Sequence, residues 1–112
     1  GKVIFLAGGT GHPYFSTDTT TALRAIELEC EVIVMARAVD GVYDSDPEVN
    51  PNAKKYDKIS YQEVLDQKLK VLDLTATVMC MENGVSTLVF SLDEENGIVN
   101  NVAGNVTGTI VY

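Results

Sequence analysis

Short apolar runs and longer amphipathic stretches alternate along this chain. Residues Lys2–Ala7, Val32–Ala36 and Thr87–Ser91 form short, largely apolar runs, a pattern typical of strands buried on both faces of a parallel sheet. Apolar side chains recur at helical spacing within Asp18–Glu29, between the first two runs. The pattern predicts a right-handed βαβ unit at the start of the chain.

A long polar connector, Ala38–Lys58, follows the second predicted strand. Connectors of this length without regular structure are usually functional lids or binding loops. Ser60 and Glu63 then have the capping-box spacing, which predicts a helix that continues to about Gln67.

The rest of the chain predicts two more helices and a final strand. Asp73 is placed to cap a helix that ends at Gly84, with Leu74, Val78 and Met81 on one face. A short helix near Gly97–Ala103 and a strand at Thr109–Tyr112 complete the pattern. The predicted fold class is α/β, with a mostly parallel sheet and flanking helices.

Composition excludes several classes of protein. The chain has 112 residues, enough for one domain, and a formal net charge of −8 with only eight Lys and Arg, which argues against a nucleic-acid partner. No apolar run is long enough to span a membrane, so we expect a soluble, cytoplasmic protein. Cys30 and Cys80 fit neither a disulfide framework nor a metal site and are expected in the core.

The segment Gly8–Asp18 (GGTGHPYFSTD) is the strongest candidate for chemistry. It joins a predicted strand to a predicted helix, where open α/β sheets bind ligands. Its glycines allow the backbone to approach a ligand, and its hydroxyls and helix N-terminus suit a phosphate. The alternative is a glycine-rich turn with Asp18 as the helix cap, and the residues alone favour neither interpretation.

A second polar segment, Val39–Pro47 (VDGVYDSDP), follows the next predicted strand. Taken alone, its turn signals are typical of a surface hairpin. Because it follows a strand of the same sheet, however, it is expected at the same carboxyl edge as the glycine-rich loop. Two such loops at one edge predict a site for two ligands.

Together with LKVLDLTA (residues 69–76), these two segments resemble bacterial UMP kinases of the amino-acid kinase superfamily. The resemblance covers essentially the whole chain. It implies a three-layer α/β/α fold in which residues 1–112 form the C-terminal, nucleotide-binding part of a larger domain. It also implies a soluble enzyme of pyrimidine nucleotide biosynthesis, which is typically a homohexamer.

The resemblance further implies which residues bind the substrates. Asp73 matches an aspartate that orients a catalytic lysine in the other half of the enzyme. Two residues depart from the family pattern, since His12 replaces a usual asparagine and Arg37 a smaller polar residue. The implied ATP-binding residues are Arg37, Tyr43 and Asp46, with Mg²⁺ accompanying ATP. The implied UMP-binding residues are Thr10, Gly11, His12, Pro13, Tyr14, Phe15, Ser16 and Thr17.

Phosphoryl transfer needs positive charge near the reacting phosphate. Among the candidate residues, Arg37 is the only cation, and nothing here matches the lysine and glycine-rich phosphate loop of the family's N-terminal half. We therefore expect this chain to be a piece of a longer protein, with little turnover of its own. Two alternatives stay open: a kinase of the same superfamily with another acceptor, and a non-catalytic nucleotide sensor or partner-binding module.

Overall fold

A computed structural model describes residues 1–112 and contains one mixed four-stranded sheet. Two strand pairs, β1/β3 and β2/β4, are parallel, and β3/β4 is antiparallel. The predicted α/β class with a mostly parallel sheet is therefore confirmed. The strands are β1 (Val32–Arg37), β2 (Lys58–Ile59), β3 (Ser86–Ser91) and β4 (Thr109–Val111), and their spatial order is β1-β3-β4-β2.

Local sequence sets the ends of the helices, as predicted for two of them. Ser60 and Glu63 form a capping box at the start of α2. The Asp73 side chain accepts the Ala76 N–H at 2.8 Å to cap α3, and Gly84, with φ of 67°, ends that helix in the left-handed region. The helices are α1 (Thr17–Glu27), α2 (Tyr61–Asp66), α3 (Leu74–Asn83) and α4 (Gly97–Val102).

Helices α1 and α3 pack against each other and against β1 and β3. Their core positions carry small side chains, including Ala22, Ala76 and Cys80, all with no exposed surface. The predicted core face of α3 is wrong, because Leu74 is 69% exposed and the buried residues are Ala76, Thr77 and Cys80. The small residues, and not the large ones, face the neighbouring helix and sheet.

The apolar run Lys2–Ala7 does not form the predicted strand. Phe5 is 92% exposed, and no strand pairs with this segment. An apolar pattern reports the burial that a segment favours, but a strand also needs a neighbour for its N–H and C=O groups. The predicted burial of β1 on both faces is also wrong, because this strand lies at the edge of the sheet and is buried only at Ile33. Strand β3 lies between two other strands and is buried on both faces as predicted.

The two cysteines differ in burial. Cys80 lies in the core as predicted, but Cys30 is exposed in the turn between α1 and β1, so its predicted burial is wrong. Its helical spacing misled the prediction because α1 ends at Glu27, before Cys30 completes the apolar face. No helix of the chain has the length and apolarity to cross a membrane.

Candidate functional site

The glycine-rich segment forms an exposed loop before α1. Gly8, Gly9 and Gly11 have φ values of 95°, 64° and 77°, which glycine adopts without steric cost. Tyr14 also has a positive φ, 71°, and its side chain is fully exposed. A left-handed conformation is rare for an aromatic residue, so this loop has an unusual backbone that keeps the ring in solvent.

Two hydrogen bonds stiffen the tip of this loop. The Thr10 hydroxyl accepts the His12 N–H at 3.1 Å and lies 3.2 Å from the His12 carbonyl oxygen, to which it donates. Ser16 then caps α1 by accepting the Thr19 N–H at 3.1 Å. The suggestion that Asp18 is the cap is therefore wrong, because Asp18 lies one residue inside the helix.

Asp73 links this loop to the start of α3. Its carboxylate accepts hydrogen bonds from the Ser16 hydroxyl and from the Thr19 hydroxyl, the latter at 3.1 Å, and also caps α3. Burial by itself would raise the pKa of Asp73, but the bonds from Ser16, the Ala76 N–H and Thr19 outweigh it and lower the pKa. Asp73 is therefore an ionised group at neutral pH that holds the end of the loop.

Asp18 joins the same junction to β1. One carboxylate oxygen accepts the Arg37 guanidinium at 3.1 Å, and the other accepts the Asp73 N–H at 3.2 Å. The Arg37 guanidinium also lies 3.0 Å from the Met35 sulfur. The starts of α1 and α3 and the carboxyl end of β1 thus meet at two carboxylates and one cation.

A cleft of about 600 Å³ is lined by the aspartate-rich connector and by the segment that precedes Asp73. Tyr43 and Asp46 line the cleft, as do Lys68 and Lys70, whereas Arg37 is not among its lining residues. Lys68 and Lys70 are thus two cations in the cleft lining that were not among the candidate residues. The full lining consists of Val39, Gly41, Val42, Tyr43, Ser45, Asp46, Pro47, Glu48, Lys68, Leu69 and Lys70.

Short stretches of backbone connect the cleft to the loop junction. Val39 in the cleft follows Arg37 by two residues, and Lys70 precedes Asp73 by three, so each pair of Cα atoms lies within roughly 11 Å. The end of the glycine-rich loop and the start of the aspartate-rich connector therefore both lie near the carboxyl end of β1.

Sequence reasoning missed three members of this neighbourhood. Thr19 was not considered, although its hydroxyl contacts Asp73. Lys68 and Lys70 were also not considered, although they precede the predicted Asp73 cap by only a few residues and line the cleft. The chain brings together no group of three or more His, Cys, Asp or Glu that could hold a metal ion.

The comparisons with known proteins concern the family and the fold of the chain. The model of the amino acid kinase family matches residues 1–91. The chain is 49% identical to UMP kinase from Ureaplasma parvum, with a TM-score of 0.87, over 92% of this chain and 44% of that one. The corresponding values for UMP kinase from Bacillus anthracis are 35% identity, a TM-score of 0.87, and coverage of 92% and 43%.

A third structure extends the similarity. Uridylate kinase from Archaeoglobus fulgidus is 32% identical, with a TM-score of 0.74, over 90% of this chain and 49% of that one. The chain therefore spans less than half the length of these solved relatives. Because the family match extends over most of its residues and the solved relatives share its fold, the chain belongs to the amino acid kinase family.

Proposed function

We propose that the full-length protein transfers the γ-phosphoryl group of ATP to UMP, which gives ADP and UDP. The family supports a phosphotransferase, and the similarity to UMP kinases supports uridylate as the acceptor. The observation that carries the proposal is the junction at Asp73, where the glycine-rich loop is bonded to a helix that begins next to the cleft.

In this proposal the loop Thr10–Thr17 binds UMP. Its backbone amides and hydroxyls suit phosphate oxygens, and its positive-φ glycines let the backbone come close to them. The exposed rings of Tyr14 and Phe15 are available to stack on the uracil base. The imidazole of His12 is also exposed in this loop, where it can donate one hydrogen bond to the ligand.

The cleft takes ATP in the same proposal. Tyr43 offers an aromatic wall to the adenosine, and Lys68 and Lys70 offset the negative charge of the phosphates. Arg37 lies between the cleft and the loop, because it is bonded to Asp18 and precedes the cleft residue Val39. Mg²⁺, which the resemblance implies together with ATP, would neutralise charge on the ATP phosphates.

Phosphoryl transfer depends on positioning and on the neutralisation of charge. The groups of this chain position the acceptor loop and supply cations on the donor side. Asp73 is proposed to act as a positioning residue, because its carboxylate lies where the loop, α1 and α3 meet. The resemblance implies a further catalytic lysine outside these residues, so we propose that the isolated chain binds nucleotide with little turnover.

The test is release of ADP by the full-length protein, measured in a coupled assay with ATP, Mg²⁺ and single acceptors. We expect ADP release that depends on UMP, with UDP as the product, and far slower release with carbamate, amino acids or isopentenyl phosphate. If ADP release is faster with one of these acceptors, the assignment of UMP as the acceptor is wrong, but the assignment to the kinase family stands. Binding of both nucleotides without release would favour the nucleotide-sensor interpretation.

A pair of tyrosine variants tests the acceptor loop. Tyr14→Ala should raise the KM for UMP by about tenfold, because stacking of a base on an aromatic ring contributes about 1–3 kcal/mol. Tyr112→Ala is the matched control, because Tyr112 is also exposed but follows β4, whose end lies at the opposite edge of the sheet. Equal KM values for UMP in the two variants would contradict the assignment of the loop.

A further inference from the structure

The Asp40 carboxylate lies just outside the cleft and holds two side chains. One oxygen accepts the Tyr43 hydroxyl at 2.7 Å, and the other lies 3.5 Å from the Lys55 ammonium. Asp40 is not among the residues that line the cleft, whereas Tyr43 is. We propose that Asp40 is a positioning residue that fixes the Tyr43 ring in the wall of the ATP cleft; this inference rests on the proposed function of that cleft.

Tyr43 needs such an anchor because the connector that carries it has little regular structure. Its backbone forms only an isolated antiparallel bridge with Lys55, and its side chain is partly exposed. A tyrosine has two rotatable side-chain torsions, so a bond at the far end of the ring restricts both. The aromatic wall is therefore held at its hydroxyl end by Asp40.

Asp40 is in turn held by the sheet. The neighbouring Val42 N–H donates to the buried Thr109 hydroxyl in β4 at 2.9 Å. Gly41 leaves no room for a side chain, since a Cβ atom there would lie 2.6 Å from the Thr109 hydroxyl oxygen and 2.8 Å from Lys55 Cδ. This packing fixes the backbone of the Asp40 segment, so its carboxylate has a defined place from which to hold Tyr43.

Lys55 completes the arrangement from the other side of the connector. Its ammonium donates to the Thr107 carbonyl oxygen at 3.1 Å as well as to Asp40. The Lys55 charge partly neutralises Asp40, which would otherwise repel an anionic nucleotide. The hydrogen bond from Tyr43 is the main cause that lowers the pKa of Asp40, with Lys55 adding to it, so the anchor is ionised when the enzyme works near neutral pH.

The arrangement assigns separate roles to three side chains. Tyr43 contacts the ligand, Asp40 acts through Tyr43, and Lys55 restrains and neutralises Asp40. Loss of the Asp40 carboxylate should therefore weaken ATP binding and leave UMP binding unchanged. Loss of the Tyr43 hydroxyl should have the same effect, because both changes remove one hydrogen bond.

The experiment compares Asp40→Leu, Tyr43→Phe and the double variant in the full-length protein. The equilibrium Kd for ATP and the KM values for ATP and UMP are measured for each. A lost hydrogen bond to a charged group corresponds to roughly a tenfold change in Kd, so Asp40→Leu should raise the Kd and KM for ATP by about five- to tenfold. The KM for UMP and kcat should stay within about twofold. The double variant should bind ATP no more weakly than the weaker single variant.

Conservative and control variants separate positioning from general damage. Asp40→Asn keeps an acceptor for the Tyr43 hydroxyl and should recover most of the ATP affinity. Asp40→Ala, which also removes the acceptor, replaces Asp40→Leu in the comparison if the latter does not fold. Glu82→Leu removes an exposed charge at the end of α3 that is opposite its Asp73 cap, and it should change nothing. Additive effects of Asp40→Leu and Tyr43→Phe, an equal loss of UMP affinity, or an unchanged ATP Kd would each overturn the inference.

The design also separates this inference from the proposed function. If the wild-type protein binds ATP but shows no UMP-dependent turnover, the proposed acceptor fails, while the ATP Kd values still decide the role of Asp40. A wild-type protein that binds no ATP would overturn both.

Discussion

Replacement of Asp73 by alanine tests the junction between the loop and α3. The carboxylate caps α3 at the Ala76 N–H and accepts hydrogen bonds from Ser16 and Thr19. Loss of an N-cap costs about 1 kcal/mol. Loss of an acceptor shared by two hydroxyls adds about 1–2 kcal/mol, less than the full value for charged bonds because Ser16 is exposed and can bond to water. We expect Asp73→Ala to lower the free energy of unfolding by about 2–3 kcal/mol.

Two further variants separate the contribution of the helix cap from that of the bonds to Ser16 and Thr19. Asp73→Asn should cost only about 1 kcal/mol, because asparagine caps helices as well as aspartate does but carries no charge. Ser60→Ala is the matched control: it removes the cap of α2, whose capping box does not touch the loop, and should also cost about 1 kcal/mol. Urea titration followed by circular dichroism measures all three variants against the wild-type protein.

The comparison of Asp73→Ala with Ser60→Ala is decisive. If the two variants lose the same free energy of unfolding, the bonds from Ser16 and Thr19 contribute nothing, and the junction does not hold the loop. If Asp73→Ala loses clearly more free energy of unfolding than Ser60→Ala, the hydrogen bonds between the loop and Asp73 stabilise the fold.

Three other predictions follow from the described contacts. The pKa of Asp73 is lowered from 3.8 in the folded state, so its ionised form stabilises the fold fully above about pH 4 and loses that effect as the pH falls through the folded-state pKa. The difference in free energy of unfolding between wild type and Asp73→Asn should therefore shrink on acidification. A difference that stays constant down to about pH 2 would contradict this prediction. Gly108→Ala should disrupt the β3/β4 pair and lower the free energy of unfolding by about 3 kcal/mol or more, because a Cβ atom at Gly108 would lie 1.7 Å from the Val89 carbonyl oxygen. Urea titration followed by circular dichroism measures this loss, and wild-type stability would refute the predicted clash. Thr109→Val should cost about 1–3 kcal/mol, because it leaves the Val42 N–H without its acceptor in the core, and Thr109→Ser is the control that keeps the hydroxyl.

Some elements were predictable because their signals are local. The helix that Ser60 and Glu63 begin and the helix between Asp73 and Gly84 depend on hydrogen bonds within a few residues of each end. A sequence contains all the partners of such bonds within one short window. The buried strand β3 was predictable for a related reason, since its apolar run matches a segment covered on both faces.

Elements that depend on distant partners were harder to predict. The run Lys2–Ala7 has the composition of a buried strand, yet none of the four strands pairs with it. The face of α3 that is buried was misjudged because the choice depends on α1, which shares the core with it. Hydrophobicity ranks side chains one at a time, whereas close packing between two helices selects small ones.

In the candidate site, too, local motifs were predictable and contacts between distant residues were not. The segments Thr10–Thr17 and Val39–Pro47 and the residue Asp73 were identified from their motifs, and the structure bonds the end of the first segment to Asp73. The bonds that join them could not be predicted, because Ser16 and Asp73 are separated by 57 residues of sequence. The positions of Lys68 and Lys70 in the cleft wall were missed because a lysine has no local pattern that distinguishes a cleft wall from a solvated surface.

The position of β4 in the sheet has a consequence for how the chain folds. This strand is the last of the four in sequence, yet it lies between β3 and β2 and is the only connection between the two parallel pairs. During synthesis the pair β1/β3 can form early, whereas β2 has no partner until the ribosome has completed β4. The connector that carries Asp40 and Tyr43 also depends on β4 through Thr109. The cleft wall should therefore be among the last parts of the molecule to become ordered, after the half of the sheet next to the glycine-rich loop.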